Sequence, residues 1–514
     1  MRLWQRTAVD LADMLSHGET TTVEIVDELT ARTAEVGDAI NGYTVHRLDE
    51  ARIDAKELDE ERHRNGPRSP LHGLPLTVKE SIDVAGMPTT LGIRSWRHRM
   101  AENDAPIVAM AKAAGMVVLG KSNVPQALLS GAECENPLWG ATRNPWSAVH
   151  GPGGSSGGEA ALIASGQSVV GLGTDLGGSI RSPAAYCGIV GVKPTTDRWS
   201  NLGLSPALSG QELVRGQIGT LGRTVADCRL VFDVLTAMDH SVYDANVPPP
   251  PCPEAPLSLD GVRIGWYDDD GFVRASAACR RAVGRVADLL SDLGAELVAM
   301  PPPDQEELVQ LYVAGVSSDG ADGLRKLLAG EPIAPPARDM WRAAAVPSRL
   351  RGPAGRLLRV LGEGRTGGIV AVACRRSVAS YWELITRRDE MRNREMASWR
   401  SAGIAALVCP VTATPPIPVG ESSDFTPAFG YTGRYNLMGV PAGTLPVTTV
   451  RPDETTSERR GDRLERRARS IERQSLGLPV GVQVVARPWR DQHLFDVMAA
   501  IEAGLGDEAP RTPR

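Results

Sequence analysis

The chain has 514 residues, 42% of them hydrophobic, which is enough to bury a large core and, by length alone, to form roughly two to four domains. A formal charge of −6 and a pI near 5.9 argue against a broad nucleic-acid surface. Seven dispersed cysteines with no Cys-x-x-Cys read as reduced core thiols, and eight histidines that do not cluster with cysteines or carboxylates give no reason to expect a metal or cofactor.

The N-terminus, MRLWQRTAVDLADML, is amphipathic without an apolar signal core, and no run of about 18 apolar residues occurs, so a cytoplasmic protein without a transmembrane segment is expected. Residues 7–16, 22–35 and 49–64 read as surface helices with polar starts. The core begins at 71–82, where 74–78 reads as a buried strand with Lys79 at its end. A helix over 104–114, a buried strand over 116–119, helices over 158–165 and 223–237, and a strand over 261–266 follow. This alternation predicts an α/β fold, a mixed central β-sheet covered on both sides by helices.

Between these elements, residues 247–253 form a proline-rich connector, read as a rigid surface crossing. Residues 301–370 look least regular. Trp341, Leu350, Leu357, Leu358, Val360 and Leu361 alternate there with Arg342, Arg349, Arg351, Arg356 and Arg359, a pattern that suits either a membrane-surface segment or a lid. Pro347, Gly352, Pro353 and Gly355 interrupt any long helix, which favours the lid over the substrate groove. Residues 451–475 read as a solvated, charged insertion prone to disorder.

The chemistry concentrates in residues 151–188, which carry Ser155 in GGSSGG and Ser179 in DLGGS. Consecutive N–H groups over residues 175–179, with almost no side-chain cover, suit an anion or oxyanion cradle. Three readings compete. A phosphate loop lacks its Gly-Lys-Ser/Thr, since Lys193 comes too late. A Gly-x-Ser-x-Gly elbow at Gly153 to Gly157 lacks the preceding strand, and the later histidines, His240 and His493, sit in no catalytic motif. The third is a serine nucleophile served by a base other than histidine.

That base leads upstream to Lys79. The chain has only Lys56, Lys79, Lys112, Lys121, Lys193 and Lys326, arginine supplying its other cations. Arginine stays protonated, whereas a desolvated lysine can lose its proton and act as a base. A surface pair of Lys79 with Glu80 or Asp83 is the competing reading, and composition leaves the two open.

Lys79, GGSSGG and GTDLGGSIRSPAAYCGIVGVKPT together resemble the amidase signature family of serine hydrolases, and are most similar to its fatty-acid amide hydrolase branch. The resemblance spans roughly residues 5 to 505 and extends to KSNVPQ (121–126), NPLWG (136–140), NPW (144–146), GVPAGTLPV (439–447) and GLPVGVQ (477–483). It implies one amidase signature domain, with the catalytic core at 71–240. It also implies Ser179 as nucleophile, Ser155 as the bridging serine behind a cis Gly154–Ser155 peptide bond, with Ser156 as the alternative bridge, and Lys79 as base. The N–H groups of Leu176, Gly177, Gly178 and Ser179 would form the oxyanion hole, supported by Asp175 and Arg181.

An N-acyl amide is the implied small-molecule substrate, hydrolysed through an acyl-enzyme, with esterase activity as an extension. Leu128 and Leu129 are the apolar residues at the matching acyl groove, and aromatic residues total only 4%, which suggests a medium or compact acyl group. The alternatives are the glutaminase subunit of a tRNA-dependent amidotransferase, an acyltransferase of specialised metabolism, and a silent binding protein. The last is disfavoured because all three triad residues are present. Homodimers are common in the family, but no interface is identifiable from the residues.

Overall fold

The computed structural model describes residues 2–510 apart from 209, 253, 423, 424, 426 and 427, and the side chain of residue 339. Its strands, in chain order, are β1 (Tyr43–His46), β2 (Pro75–Lys79), β3 (Val117–Ser122), β4 (Glu135–Asn136), β5 (Gly140–Ala141), β6 (Val170–Asp175), β7 (Val190–Lys193), β8 (Gln217–Gly222), β9 (Arg263–Trp266), β10 (Glu296–Ala299), β11 (Ala406–Pro410), β12 (Ala442–Thr449) and β13 (Pro479–Ala486). All but β4 and β5, which pair with each other, join one 11-stranded sheet in the order β1-β3-β2-β6-β8-β7-β12-β13-β11-β9-β10.

The sheet is mixed. β3, β2 and β6 run parallel, as do β11, β9 and β10, and antiparallel pairs link the two groups. Central strands such as β2, β3, β6 and β13 are buried throughout, so their apolar residues do not alternate with exposed polar ones. Helices Pro106–Ala113 and Gly157–Ser165 make the crossovers that keep β2, β3 and β6 parallel. This is the expected α/β architecture.

Local signals also account for the helix boundaries. Thr7 caps Ala8–His17 and Thr21 caps Thr22–Ile40, each in a reciprocal capping box, and Thr224 does the same for Val225–Thr236. Of the seven cysteines, Cys134, Cys187, Cys228, Cys279 and Cys409 are buried and none is in a disulfide. No described helix is long and apolar enough to cross a membrane.

Two stretches differ from expectation. Residues 301–370 are mostly helical, as Gln305–Val316, Asp322–Leu327, Arg338–Ala345, Ser348–Val360 and Gly364–Val372. Pro353 lies inside Ser348–Val360, and Arg351 donates to Val346 O and Ala344 O at 3.0 and 3.1 Å, tying that helix to the turn before it. The residue read as a breaker packs instead: a Cβ at Gly355 would lie 2.5 Å from Gly367 O, so glycine lets the last two helices touch backbone to backbone. Leu357, Val360 and Leu361 stay exposed.

The charged stretch 451–475 likewise contains a helix, Arg463–Arg473, capped by Asp462. Leu464, Ala468 and Ile471 recur at helical spacing and are buried, so a narrow apolar stripe overrides the charge. The connector 247–253 has no regular structure over its described residues, and residue 253 lies outside them.

Candidate active site

Lys79 is the last residue of β2 and Asp175 the last of β6, and these strands are parallel neighbours. Their carboxyl ends therefore lie side by side, the edge where open α/β sheets present functional groups. Lys79 is fully buried, and its Nζ donates to Ser155 Oγ at 2.7 Å, Thr174 Oγ1 at 2.8 Å and Thr174 O at 3.3 Å. Burial pulls the ammonium down to about 7, against the opposing charges of Asp175 and, more weakly, Glu159 and Glu80. The surface-pair reading is thereby corrected: Glu80 is itself buried and turns to the Thr90 hydroxyl and the N–H groups of Thr90 and Leu91.

Of the two adjacent serines, Ser155 meets the lysine. Ser156 stands at the N-cap position of helix Gly157–Ser165 without a side-chain capping bond, and its hydroxyl lies 3.4 Å from both Thr174 N and Thr174 O. The peptide bond between Gly154 and Ser155 is cis. Ser156 N–H donates to Ser179 O at 3.0 Å, which joins the two serine motifs. Among the described residues no hydrogen bond joins the Ser155 and Ser179 hydroxyls; such contacts often tighten only once substrate is present.

Ser179 follows a loop held from within. Asp175, fully buried, accepts from Gly178 N–H at 2.7 Å, Ile180 N–H at 3.1 Å, and Arg181 Nη2 and Nε at 2.9 and 3.0 Å. Burial alone would raise its carboxyl, but the Arg181 charge and these hydrogen bonds outweigh burial and hold it well below the usual carboxylate range. Of the four N–H groups expected in the oxyanion hole, Gly178's is thus committed to Asp175, while those of Leu176, Gly177 and Ser179 have no acceptor among the described residues.

Several supporting residues lay beyond the sequence reading. Helix Gly430–Met438 is buried along its whole length and presents Thr432 and Asn436 on one face. Thr432 Oγ1 donates to Gly177 O at 2.7 Å, and Asn436 Nδ2 to Asp175 Oδ1 at 2.8 Å. Tyr312 OH donates to Leu176 O at 3.0 Å, and Gln483 accepts from Arg181 Nη1. No local signal marks them, since the partners lie 136 to 302 positions from the residues they hold. Gly178 has φ +118°, and a Cβ there would lie 2.3 Å from Thr432 Oγ1, so the loop requires glycine at this point.

Leu128 and Leu129 are half-buried and sit in an apolar cluster with Trp96, Ile333, Met340 and Trp341. The segment 322–345 supplies Leu324, Leu327, Leu328, Ile333, Met340, Trp341 and Ala344 to the same cluster. Gln126 fastens that segment, donating to Pro332 O at 2.9 Å and accepting from Ala334 N–H at 2.8 Å. Lys121 and Lys193 are buried as well, but their Nζ groups go to Pro88 O and Thr89 Oγ1, and to Pro194 O and Val440 O, so neither meets a serine. Two surface clefts of about 420 and 770 Å³ are lined by other residues and include none of Lys79, Ser155 and Ser179.

The family model described as Amidase matches residues 24–495. Fatty-acid amide hydrolase 1 of Sus scrofa is 35% identical over 84% of this chain and 75% of its own length. A glutamyl-tRNA(Gln) amidotransferase subunit from Roseiflexus sp. strain RS-1 is 31% identical over 96% of this chain and 95% of its own. A solved structure of fatty acid amide hydrolase superposes with a TM-score of 0.84 at 25% identity, covering 98% of this chain and 86% of that one. Fold and relatives define an amide hydrolase. The chain belongs to the amidase signature family.

Proposed function

We propose that the chain hydrolyses a carboxylic amide through a Ser179 acyl-enzyme, with Lys79 as base and Ser155 as the bridge between them. The observation that carries this reading is the 2.7 Å contact between Lys79 Nζ and Ser155 Oγ, made by a lysine that burial brings to about 7. At neutral pH a substantial fraction of such a lysine is unprotonated and serves as a base, which an arginine could not do.

In this scheme neutral Lys79 takes the Ser155 proton as Ser155 takes that of Ser179, and the Ser179 oxygen bonds to the carbonyl carbon. The carbonyl oxygen becomes an oxyanion facing the N–H groups of Leu176, Gly177 and Ser179, with Gly178 N–H retained by Asp175 to shape the loop. As the carbon–nitrogen bond breaks, the relay returns the proton to the nitrogen, so an amine leaves rather than an amide anion. Water then attacks the ester through the same relay and restores Ser179.

The apolar cluster at Leu128 and Leu129 supports an apolar acyl group, with residues 322–345 as its cover. The near full-length relative from the amidotransferase supports a second reading, release of ammonia from glutamine. Fluorophosphonate labelling of the purified chain tests the shared chemistry: it should vanish in Ser179→Ala and fall in Lys79→Ala. Turnover of N-acyl amides without glutamine turnover favours the first reading, and the reverse favours the second.

A further inference from the structure

A buried carboxyl with no part in that chemistry, Glu159, is bound by the strand that carries the lysine. Thr77 and Lys79 are two apart on β2 and so project from one face of the strand. Thr77 Oγ1 donates to Glu159 Oε1 and lies 2.8 Å from Ser168 Oγ. Glu159 is in the first turn of the helix that starts just after Ser155, and it is wholly buried. Gly171, the β6 residue in register with Thr77, meets the same carboxyl: a Cβ there would lie 2.0 Å from Glu159 Oε1, so β6 approaches it only because that position is glycine. Ser122, which pairs with Lys79 in the sheet register, is near enough to favour the charged form of Glu159, although no hydrogen bond closes between them. Glu159 Oε2 has no partner among the described residues.

An ionised acid so placed is costly unless it is paired. The ionisable groups that act on Lys79 are Asp175 at the end of β6, Cys134 in the preceding loop, Glu80 next in the chain, and Glu159 from the helix. Asp175 is already neutralised by Arg181 and Glu80 faces Lys121, so Glu159 is the acid in this group without a dedicated cation of its own. Glu159 in turn acts on Lys79 and on Tyr43 of β1.

We propose that Glu159 is a positioning residue for Lys79: its carboxyl, held by Thr77 on the face of β2 that also carries the lysine, sets by its charge how readily Lys79 gives up the proton that makes it a base. The inference rests on the reading of Lys79 as the base. Burial brings both groups to about 7, so they titrate in the same window and each charge opposes the other's neutralisation. An anionic Glu159 holds the proton on Lys79, and a neutral residue there releases it at lower pH.

The test follows fluorophosphonate labelling rate against pH for wild type, Glu159→Gln, Thr77→Val and Ser179→Ala. The acid limb should move down by about one pH unit in Glu159→Gln. In Thr77→Val it should move the same way by less, because loss of the hydroxyl favours the protonated acid. If Glu159→Gln does not fold, the near-isosteric Thr77→Val decides. An acid limb that stays at the wild-type pH in the variants that fold, whatever the loss of rate, overturns the proposal. Labelling that persists in Ser179→Ala overturns instead the site reading beneath it.

Discussion

Arg181 and Asp175 form an ion pair with no solvent exposure on either side chain, Nη2 to Oδ1 at 2.9 Å, and the loop from residue 176 to Ser179 is wound around it. Removing one partner of such a pair leaves a buried charge uncompensated, at a cost of about 3–5 kcal/mol. Asp175→Asn should lower stability by that amount in denaturant unfolding near pH 7. The Asp175 carboxyl is depressed on folding, so its contribution is present above the unfolded value of about 3.9 and lost as pH falls through the folded one. The deficit of the variant should therefore persist at mildly acidic pH. A loss under about 1 kcal/mol would mean that Asn436 and the backbone hold the loop unaided.

Lys79 should govern the acid side of the pH profile. With its ammonium drawn to about 7, kcat/KM should rise with pH through a midpoint near 7. Lys79→Ala and Lys79→Arg should each lose about 10²- to 10⁴-fold, the arginine variant because its charge cannot be shed. The unfolded lysine keeps its proton to about pH 10.4, so the folded protein gains stability as pH rises between these values, and Lys79→Met should flatten that rise. A midpoint unchanged in a still active Lys79→Ala would assign the limb to another group.

The two adjacent serines should separate in kinetics. Ser155→Ala removes the hydroxyl that Lys79 meets at 2.7 Å and should cost about 10²- to 10⁴-fold in kcat, whereas Ser156→Ala breaks only contacts of 3.4 Å to Thr174 and should cost less than about tenfold. Equal losses would put the bridge in doubt.

Gly178→Ala combines a left-handed backbone with a Cβ 2.3 Å from Thr432 Oγ1. It should destabilise by about 1–3 kcal/mol and abolish most fluorophosphonate labelling. A Gly178→Ala/Thr432→Ala double variant should regain part of the stability but little of the labelling, because the clash is relieved while the backbone requirement stays. Full recovery of both would make Thr432 the whole cause.

The sequence by itself determined the α/β alternation and pointed to the candidate residues for the reaction. Capping boxes at Thr7, Thr21 and Thr224, the apolar run before Lys79, and the glycine-flanked serines are local patterns, legible because their physics acts over a few residues. It did not settle whether Lys79 pairs at the surface or sits in the core, because burial belongs to the assembled sheet. β2 alone would leave the lysine wet; neighbours β3 and β6 desolvate it and bring its ammonium down. Nor could it announce that Thr432, Asn436 and Tyr312 hold the loop before Ser179, or that Thr77, two residues before Lys79, meets Glu159. Those contacts join positions far apart in the chain, and only the packed tertiary structure decides which polar side chain meets which once water is excluded.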